Sequence, residues 1–164
     1  MPNKPSKHVS FDLLPGHYIR RLQQISVAIF LQETEGFGIT PVQFAALSAL
    51  EEFPQIDQKT LANTIGLDVS TIGGVINRLE SRNLVKRNPS EIDRRVHVLT
   101  LTSKGKHLLE DINPQVIKAQ QRILSPLKKS QHAALIEMLD TLVNGNNEAS
   151  RAPSSIKTSE SNIN

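Results

Sequence analysis

The sequence contains no cysteine among its 164 residues, which excludes disulfide bonds, thiolate metal sites and regulation by thiol oxidation. It also has no apolar run close to the roughly 18 residues that a membrane-spanning helix needs. The first ten residues are too polar for a signal peptide. We therefore expect a cytoplasmic protein, and the length suits a single domain.

Catalytic motifs are also missing from the sequence. It has no G-x-S-x-G nucleophile elbow, no phosphate-binding loop and no H-E-x-x-H pattern. The five histidines are scattered without the spacing of metal ligands: His8, His17, His97, His107 and His132. We therefore predict that the protein is not an enzyme and carries neither a cofactor nor a metal.

Positive charge is concentrated in the middle third of the chain. The net charge is only +3, yet residues 57–106 contain nine Lys or Arg against five Asp or Glu. The segments before and after them are close to neutral. A basic segment of this kind is typical of nucleic-acid binding and also of a solvated basic surface, so charge alone does not choose between the two.

The spacing of apolar residues predicts six helices. They cover residues of about 14–33, 41–52, 57–65, 70–79, 103–124 and 130–143. Two β-favouring runs, 84–87 and 96–101, are joined by a polar turn and suit a hairpin. We expect residues 1–13 to form a flexible arm and residues 145–164 a disordered tail, because both are polar and lack apolar anchors.

Local signals mark several helix ends. Thr40 and Gln43 fit a capping box, Asp57 can cap the third helix, and Gly66 can supply the left-handed residue that ends it. The fourth helix then opens at Ser70 and has an apolar stripe at Ile72, Val75, Ile76 and Leu79. Together the third and fourth helices have the form of a helix-turn-helix motif, and the hairpin after them is a candidate wing.

These elements predict one mainly α domain over residues 14–144, a winged helix-turn-helix with helices added from both chain ends. The central module covers about 40–102, and the outer helices cover about 14–34 and 103–144. The outer helices carry more apolar surface than one small module can bury. A homodimer is therefore expected.

The wing carries a specific motif. It reads Asp93-Arg94-Arg95, five residues, Leu101-Thr102, two residues and Gly105. This resembles the wing signature of the MarR family, D-x-R-x5-L-T-x2-G, at every specified position. The stretches 38–44, 61–67 and 79–85 also resemble that family, so the resemblance covers about residues 14–144.

The resemblance implies a dimeric regulator of transcription that binds double-stranded DNA. In this interpretation the central module is the DNA-binding lobe and the outer helices form the dimer. The family resemblance further implies repression, relieved by phenolic or aromatic acids that bind between the dimer helices and that lobe.

The residues of the fourth helix that lie off its apolar stripe are the candidate base readers. Asn77 can read adenine and Arg78 can reach guanine or phosphate. The Gly-Gly pair would cost a helix about 2 kcal/mol, so close approach to the duplex is one explanation and a weakened helix the other. Asp68 either caps the helix or selects against a wrong base. The full predicted set is Ser70, Thr71, Gly73, Gly74, Asn77 and Arg78.

In the wing, Arg95 is the predicted minor-groove residue, because narrow groove walls concentrate negative potential. Arg94 would contact phosphate or share that task. Asp93 can hold one guanidinium in a fixed orientation. The alternative is a surface ion pair without a partner.

The candidate effector site lies on the first helix. His17, Arg20 and Arg21 are spaced to share one face, with Tyr18 and Leu22 turned into the core. Two cations and an imidazole near aromatic rings, which would be Tyr18 and Phe44, suit a small aromatic carboxylate. The alternative is a solvated basic face or a set of intersubunit ion pairs.

Residues 14–21 also resemble the branch of the family that regulates the breakdown of nicotinate-like acids. Two rival functions stay open at this point. One is a winged-helix module that binds a protein, and the other is an architectural DNA binder without an effector. Salt dependence of binding distinguishes the first and ligand-induced release the second.

Overall fold

The computed structural model describes residues 10–154. Its helices are α1 (Pro15–Glu33), α2 (Pro41–Glu52), α3 (Gln58–Thr64), α4 (Val69–Ser81), α5 (Ser103–Leu124) and α6 (Lys129–Gly145). Its strands are β1 (Ile56–Asp57), β2 (Val85–Pro89) and β3 (His97–Leu101). This is the mainly helical winged helix-turn-helix that the sequence predicts. None of the helices in the described range combines the length and apolar character needed to cross a bilayer.

The predicted capping signals determine where α2 and α3 begin. The Thr40 hydroxyl accepts from the Gln43 backbone N–H at 3.3 Å, and the Gln43 side chain accepts from the Thr40 N–H at 3.0 Å. Asp57 caps α3 by accepting two backbone N–H groups. Gly66 follows α3 with a φ of 67°, so it supplies the left-handed residue of the turn.

A three-stranded antiparallel sheet supports the wing, in the order β1-β3-β2. The pairing of β2 with β3 confirms the predicted hairpin. The sequence did not predict β1, in which Ile56 pairs with Leu99. A strand of two residues has no detectable period, and this one forms only because β3 offers it an edge.

The core lies in the lobe built from α2, α3, α4, the sheet and the first half of α5. The predicted stripe of α4 is buried, as expected. From α5, Leu109, Ile112 and Val116 enter the same core. This arrangement fixes α4 from behind and leaves its opposite face towards solvent.

The outer helices present apolar side chains to solvent in the single chain. Tyr18 is 60% exposed and Leu22 is 41% exposed, so the prediction that they enter the core is wrong for one protomer. α6 has no buried residue, although Met138, Leu139 and Leu142 form its predicted stripe. The helical spacing of these residues was predicted correctly, but no surface within residues 10–154 covers them. Apolar faces of this extent mark an interaction surface.

An ion-pair cluster joins α1 to α5. The Glu33 carboxylate lies 2.7 Å from Nζ of Lys118 and 2.9 Å from Nη1 of Arg122, and its side chain is only 11% exposed. Hydrogen bonds from Lys118 first, and then from Arg122, hold the pKa of Glu33 below its ordinary value. A carboxylate with a lowered pKa stabilises the fold at neutral pH and loses that contribution as pH falls through the folded-state pKa.

We therefore expect Glu33→Gln to lower the Tm at about pH 7 by roughly 1–3 °C, because the ion pairs are partly solvated. The difference from the parent should shrink in acid, where the parent carboxylate is itself protonated. Thermal unfolding at several pH values measures this. Glu35→Gln is the matched control, since Glu35 is exposed and forms no ion pair in the described chain. A difference that persists unchanged in acid would contradict the role assigned to the charge.

The described parts of the two chain ends contain local structure where the sequence predicts disorder. Residues 1–9 of the predicted arm lie outside the described residues, but Phe11–Leu13 form a short 3-10 helix. Of the predicted tail, residues 155–164 also lie outside them. Asn147 exchanges two hydrogen bonds with the backbone of Ser154, and the Ser154 hydroxyl donates to the Thr64 carbonyl of α3 at 3.3 Å. Polar side chains thus dock this segment without the apolar anchors that the prediction required.

Candidate nucleic-acid interface

The solvent-facing side of α4 brings several predicted recognition residues together. Ser70, Gly74, Asn77 and Arg78 are exposed. They occupy positions i, i+4, i+7 and i+8, so they share one face of the helix. In a helix-turn-helix the second helix uses such a face in the major groove.

Asp68 is the N-cap of α4, which decides between the two roles left open. Its carboxylate accepts the Thr71 backbone N–H at 2.8 Å and the hydroxyls of Ser70 and Thr71. These donors, the Ser70 hydroxyl foremost, hold the pKa of Asp68 well below its ordinary value. α4 therefore begins at Val69, one residue before the predicted start. With both hydroxyl protons engaged, Asn77 and Arg78 are the side chains on this face that can still donate.

The two adjacent glycines of α4 have different surroundings. A Cβ on Gly73 would lie 3.2 Å from Nε2 of Gln58, so Gly73 allows α3 and α4 to pack closely. A Cβ on Gly74 would meet nothing within 4 Å. Packing within the protein therefore accounts for Gly73, whereas for Gly74 close approach to a duplex stays a prediction beside the weakened helix.

Arg87 on β2 connects the wing strand to α4. Its guanidinium donates to the Glu80 carboxylate, to Oδ1 of Asn77 at 2.8 Å and to Oε1 of Gln58 at 3.4 Å. We refer to these four residues as the Arg87 network. A carbonyl oxygen has two lone pairs, so Asn77 can still accept from a base while Arg87 orients it.

The wing tip, residues 90–96, is held by hydrogen bonds from backbone to side chain. The Ser90 hydroxyl accepts the backbone N–H groups of Ile92 and Asp93 at 3.2 and 3.4 Å. Asp93 Oδ1 accepts the backbone N–H of Arg95 at 2.9 Å. The tip is consequently an ordered turn.

The prediction that Asp93 holds a guanidinium is wrong in this structure, because its carboxylate caps the backbone of the turn instead. Arg94 and Arg95 are both exposed, and neither has a carboxylate partner within residues 10–154. A surface ion pair therefore does not explain them. Both guanidiniums extend from an ordered turn and are available to an external anion.

Known proteins are similar to this chain in sequence and in fold. The profile of the MarR family matches residues 39–97. The chain is 29% identical over 134 residues to the "HTH-type transcriptional repressor NicR" of Pseudomonas putida, covering 82% of this chain and 85% of that protein. CouR, a transcriptional repressor solved with a 23-mer DNA duplex, is 30% identical with a TM-score of 0.78, covering 85% of this chain and 99% of CouR.

The chain belongs to the MarR family. It is a DNA-binding transcriptional regulator and not an enzyme. A further similar structure, BpsR of Bordetella bronchiseptica, has a TM-score of 0.79 at 29% identity, covering 83% of this chain and 97% of BpsR. The DNA binding of BpsR is regulated by 6-hydroxynicotinic acid. Membership in the family sets aside the rival interpretation as a module that binds only protein.

In this MarR chain the predicted effector residues of α1 form a cluster at the start of the helix. The His17 ring packs edge-on between Phe11 and Tyr18, with ring centroids 5.2 and 5.8 Å away. Arg20 and Arg21 both donate to Oε1 of Gln24, at 3.2 and 3.4 Å, and both are exposed. We refer to His17, Tyr18, Arg20 and Arg21 as the α1 cluster.

Phe44, the fifth predicted effector residue, lies elsewhere in the protomer. Its ring packs against Phe30, with a centroid distance of 5.9 Å. Phe30 follows His17 by 13 residues on α1, which is about 20 Å along a helix axis. The single chain therefore does not place Phe44 beside the α1 cluster.

Sequence reasoning missed two arginines that fix the position of α4. Arg87 follows the buried Val85 by two residues on β2, so strand alternation places it on the inward face. Arg82, just after α4, donates to the carbonyls of Phe37 and Gly38 at 2.9 and 2.5 Å. The alternation of buried and exposed residues along β2 could have identified Arg87. The contacts of Arg82 join residues more than 40 positions apart, so no local pattern predicts them.

Proposed function

We propose that the protein is a homodimeric repressor that occupies a pseudopalindromic operator and leaves it when a small aromatic carboxylate binds near the start of α1. Two copies of α4 enter successive major grooves, about 34–36 Å apart. The wings lie in the flanking minor grooves. Pairing of two copies is supported by the exposed apolar faces of α1 and α6. A regulator that acts on the chromosome of a bacterial cell works in the cytoplasm.

The proposal that a small aromatic carboxylate is the effector rests on the two arginines of the α1 cluster. Both guanidiniums converge on the neutral amide of Gln24, and within residues 10–154 neither has a carboxylate partner. The rings of His17 and Tyr18 lie on the same helical segment. Two unpaired cations beside aromatic rings match the charge and shape of an aromatic acid.

The relatives support the same chemical class. NicR is named a repressor, and 6-hydroxynicotinic acid regulates DNA binding by BpsR. A ligand can release DNA only through its difference in affinity between the bound and free shapes of the dimer. We therefore expect the acid to favour a dimer whose α4 helices no longer match the groove spacing.

The variant Arg20→Ala, Arg21→Ala tests the proposal. It should bind the operator as the parent does, yet need about 10- to 100-fold more 6-hydroxynicotinic acid for release, because a charged hydrogen bond contributes about 1.5–3 kcal/mol. Fluorescence anisotropy with a labelled duplex measures affinity and release, and calorimetry measures the binding of the acid itself.

The matched control is Arg20→Lys, Arg21→Lys, which keeps the charge and removes the forked geometry, so an intermediate response is expected. A folded, dimeric alanine variant that responds as the parent does would contradict the proposal. So would loss of the dimer, because the arginines would then be intersubunit structure. A parent that binds DNA but ignores a panel of aromatic acids would favour the architectural binder.

A further inference from the structure

The wing tip carries a large apolar side chain that touches nothing in the described protein. Ile92 is 99% exposed. Single exposed apolar residues are ordinary on protein surfaces, so exposure alone decides nothing. The position is unusual, however, because turns favour Gly, Asn, Asp and Ser, and a β-branched residue has no local advantage there.

The turn holds Ile92 in a fixed place. Its backbone N–H donates to the Ser90 hydroxyl at 3.2 Å. The tip is closed by a hydrogen bond from the Ser90 N–H to the Val96 carbonyl at 2.8 Å and by another from the Val96 N–H to the Asp93 carbonyl at 2.9 Å. A side chain on such a turn is presented to a partner with little further loss of backbone freedom.

The net charge of the wing tip gives it little attraction to DNA. It contains Glu91 and Asp93 against Arg94 and Arg95, so its formal charges cancel. Inserting the tip between two phosphate backbones therefore needs a contribution other than net charge. An apolar contact is such a contribution, because burial of apolar surface does not depend on the release of counterions.

We propose that Ile92 packs against the apolar deoxyribose walls of the minor groove beside the inserted arginine, and so supplies the salt-independent part of wing binding. This inference rests on the proposed DNA-binding function and names an interaction within it. Apolar side chains are known to enter minor grooves. Ile92 is buried only where the walls of the minor groove are close to it. The affinity of the wing therefore depends on the width of the groove.

The test compares the parent, Ile92→Ala and Arg95→Ala over a range of salt concentrations, using the duplex that the parent selects from a randomised pool. Ile92→Ala should weaken binding about 5- to 20-fold for each wing that loses the contact, as expected for removal of most of one buried aliphatic side chain. Its slope of log affinity against log salt should equal that of the parent. Arg95→Ala should instead flatten the slope by about 0.9 for each phosphate that is no longer neutralised.

Ile92→Leu is the matched control and should bind within about twofold of the parent, because it keeps the apolar volume. Since the side chain is exposed, thermal unfolding and size-exclusion chromatography should show an unchanged fold and dimer. Affinity of Ile92→Ala equal to the parent, a flattened salt slope, or a changed oligomeric state would each overturn the inference. A parent that binds no duplex would instead overturn the proposed function itself.

Discussion

Replacing Gly105 by alanine is expected to reduce the free energy of unfolding by about 3 kcal/mol, although alanine is the better helix former. The glycine lies in the first turn of α5. A Cβ there would sit 2.2 Å from the Leu84 carbonyl oxygen and 3.1 Å from the Leu84 carbonyl carbon. Backbone atoms cannot rotate away as a side chain can, so α5 would have to shift.

The shift would also break the junction between α5 and the wing. The Thr102 hydroxyl caps α5 by accepting the Gly105 N–H at 3.0 Å, and the Thr102 N–H donates to the Leu84 carbonyl at 3.1 Å. Overpacking costs about 1–3 kcal/mol or more and removal of a cap about 1 kcal/mol, while the helix propensity of alanine recovers at most about 1 kcal/mol. The threonine and glycine of the wing signature, together with the Leu84 carbonyl, therefore act as one structural joint.

Thermal unfolding should show a Tm lower by about 6–12 °C for Gly105→Ala, using about 2–4 °C per kcal/mol for a chain of this size. Gly74→Ala is the matched control, since the new Cβ would meet nothing within 4 Å. That variant should gain up to about 1 kcal/mol. It should nevertheless bind DNA more weakly if Gly74 faces the groove. An unchanged or raised Tm for Gly105→Ala would refute the close approach of α5 to Leu84.

The sequence predicted the elements whose signals are local. The capping box of Thr40 and the cap of Asp57 depend on residues within three positions, so they can be seen without a fold. The stripe of α4 needs only helical spacing. By contrast, β1 exists only through its pairing with Leu99, and Arg82 is positioned by carbonyls more than 40 residues away. Interactions between residues so far apart in the sequence produce no periodic pattern that sequence analysis could detect.

Two errors have a different cause. Tyr18 and Leu22 have the spacing of a buried stripe, but a pattern of apolar residues does not say whether the covering surface belongs to the same chain. For Asp93, the neighbouring arginines suggested an ion pair. The Asp93 carboxylate instead accepts the backbone N–H two residues on, because that donor lies within reach in any turn that begins with Asp. The sequence therefore identified Asp93 as a hydrogen-bond acceptor, but the geometry of the turn makes its partner a backbone N–H group and not a guanidinium.

Removing the guanidinium of Arg87 is expected to weaken operator binding about 10- to 100-fold, the value of one or two charged hydrogen bonds. Arg87→Ala would release Asn77 and Gln58 and leave the Glu80 carboxylate without its cation on α4. The recognition helix would then be free to shift relative to the wing. The uncompensated charge of Glu80 would also repel the DNA phosphates. Since Arg87 is partly exposed, the decrease in stability should be at most about 1 kcal/mol.

The ratio of operator affinity to affinity for an unrelated duplex separates positioning from a direct interaction with phosphate. A positioning role lowers that ratio and leaves the salt slope close to that of the parent. A direct interaction would weaken both duplexes alike and flatten the slope by about 0.9 for each phosphate contact that is lost. Lys86→Ala is the matched control, since Lys86 is the exposed neighbour on β2; it should change both affinities by a similar small factor.

A double-mutant cycle with Glu80 tests whether neutralisation of this carboxylate is part of the role of Arg87. Glu80→Gln alone removes one charged acceptor and keeps the hydrogen bonds of Arg87 to Asn77 and Gln58, so a small decrease in affinity is expected. In the double variant Arg87→Ala, Glu80→Gln the repelling carboxylate is gone, and part of the affinity that Arg87→Ala removes should return. Effects that simply add would show that Arg87 and Glu80 act independently, and neutralisation of Glu80 would then not be part of the role of Arg87. Recovery would instead show that part of the effect of Arg87 is neutralisation of the Glu80 charge on the recognition helix, and the part that does not return belongs to the hydrogen bonds with Asn77 and Gln58.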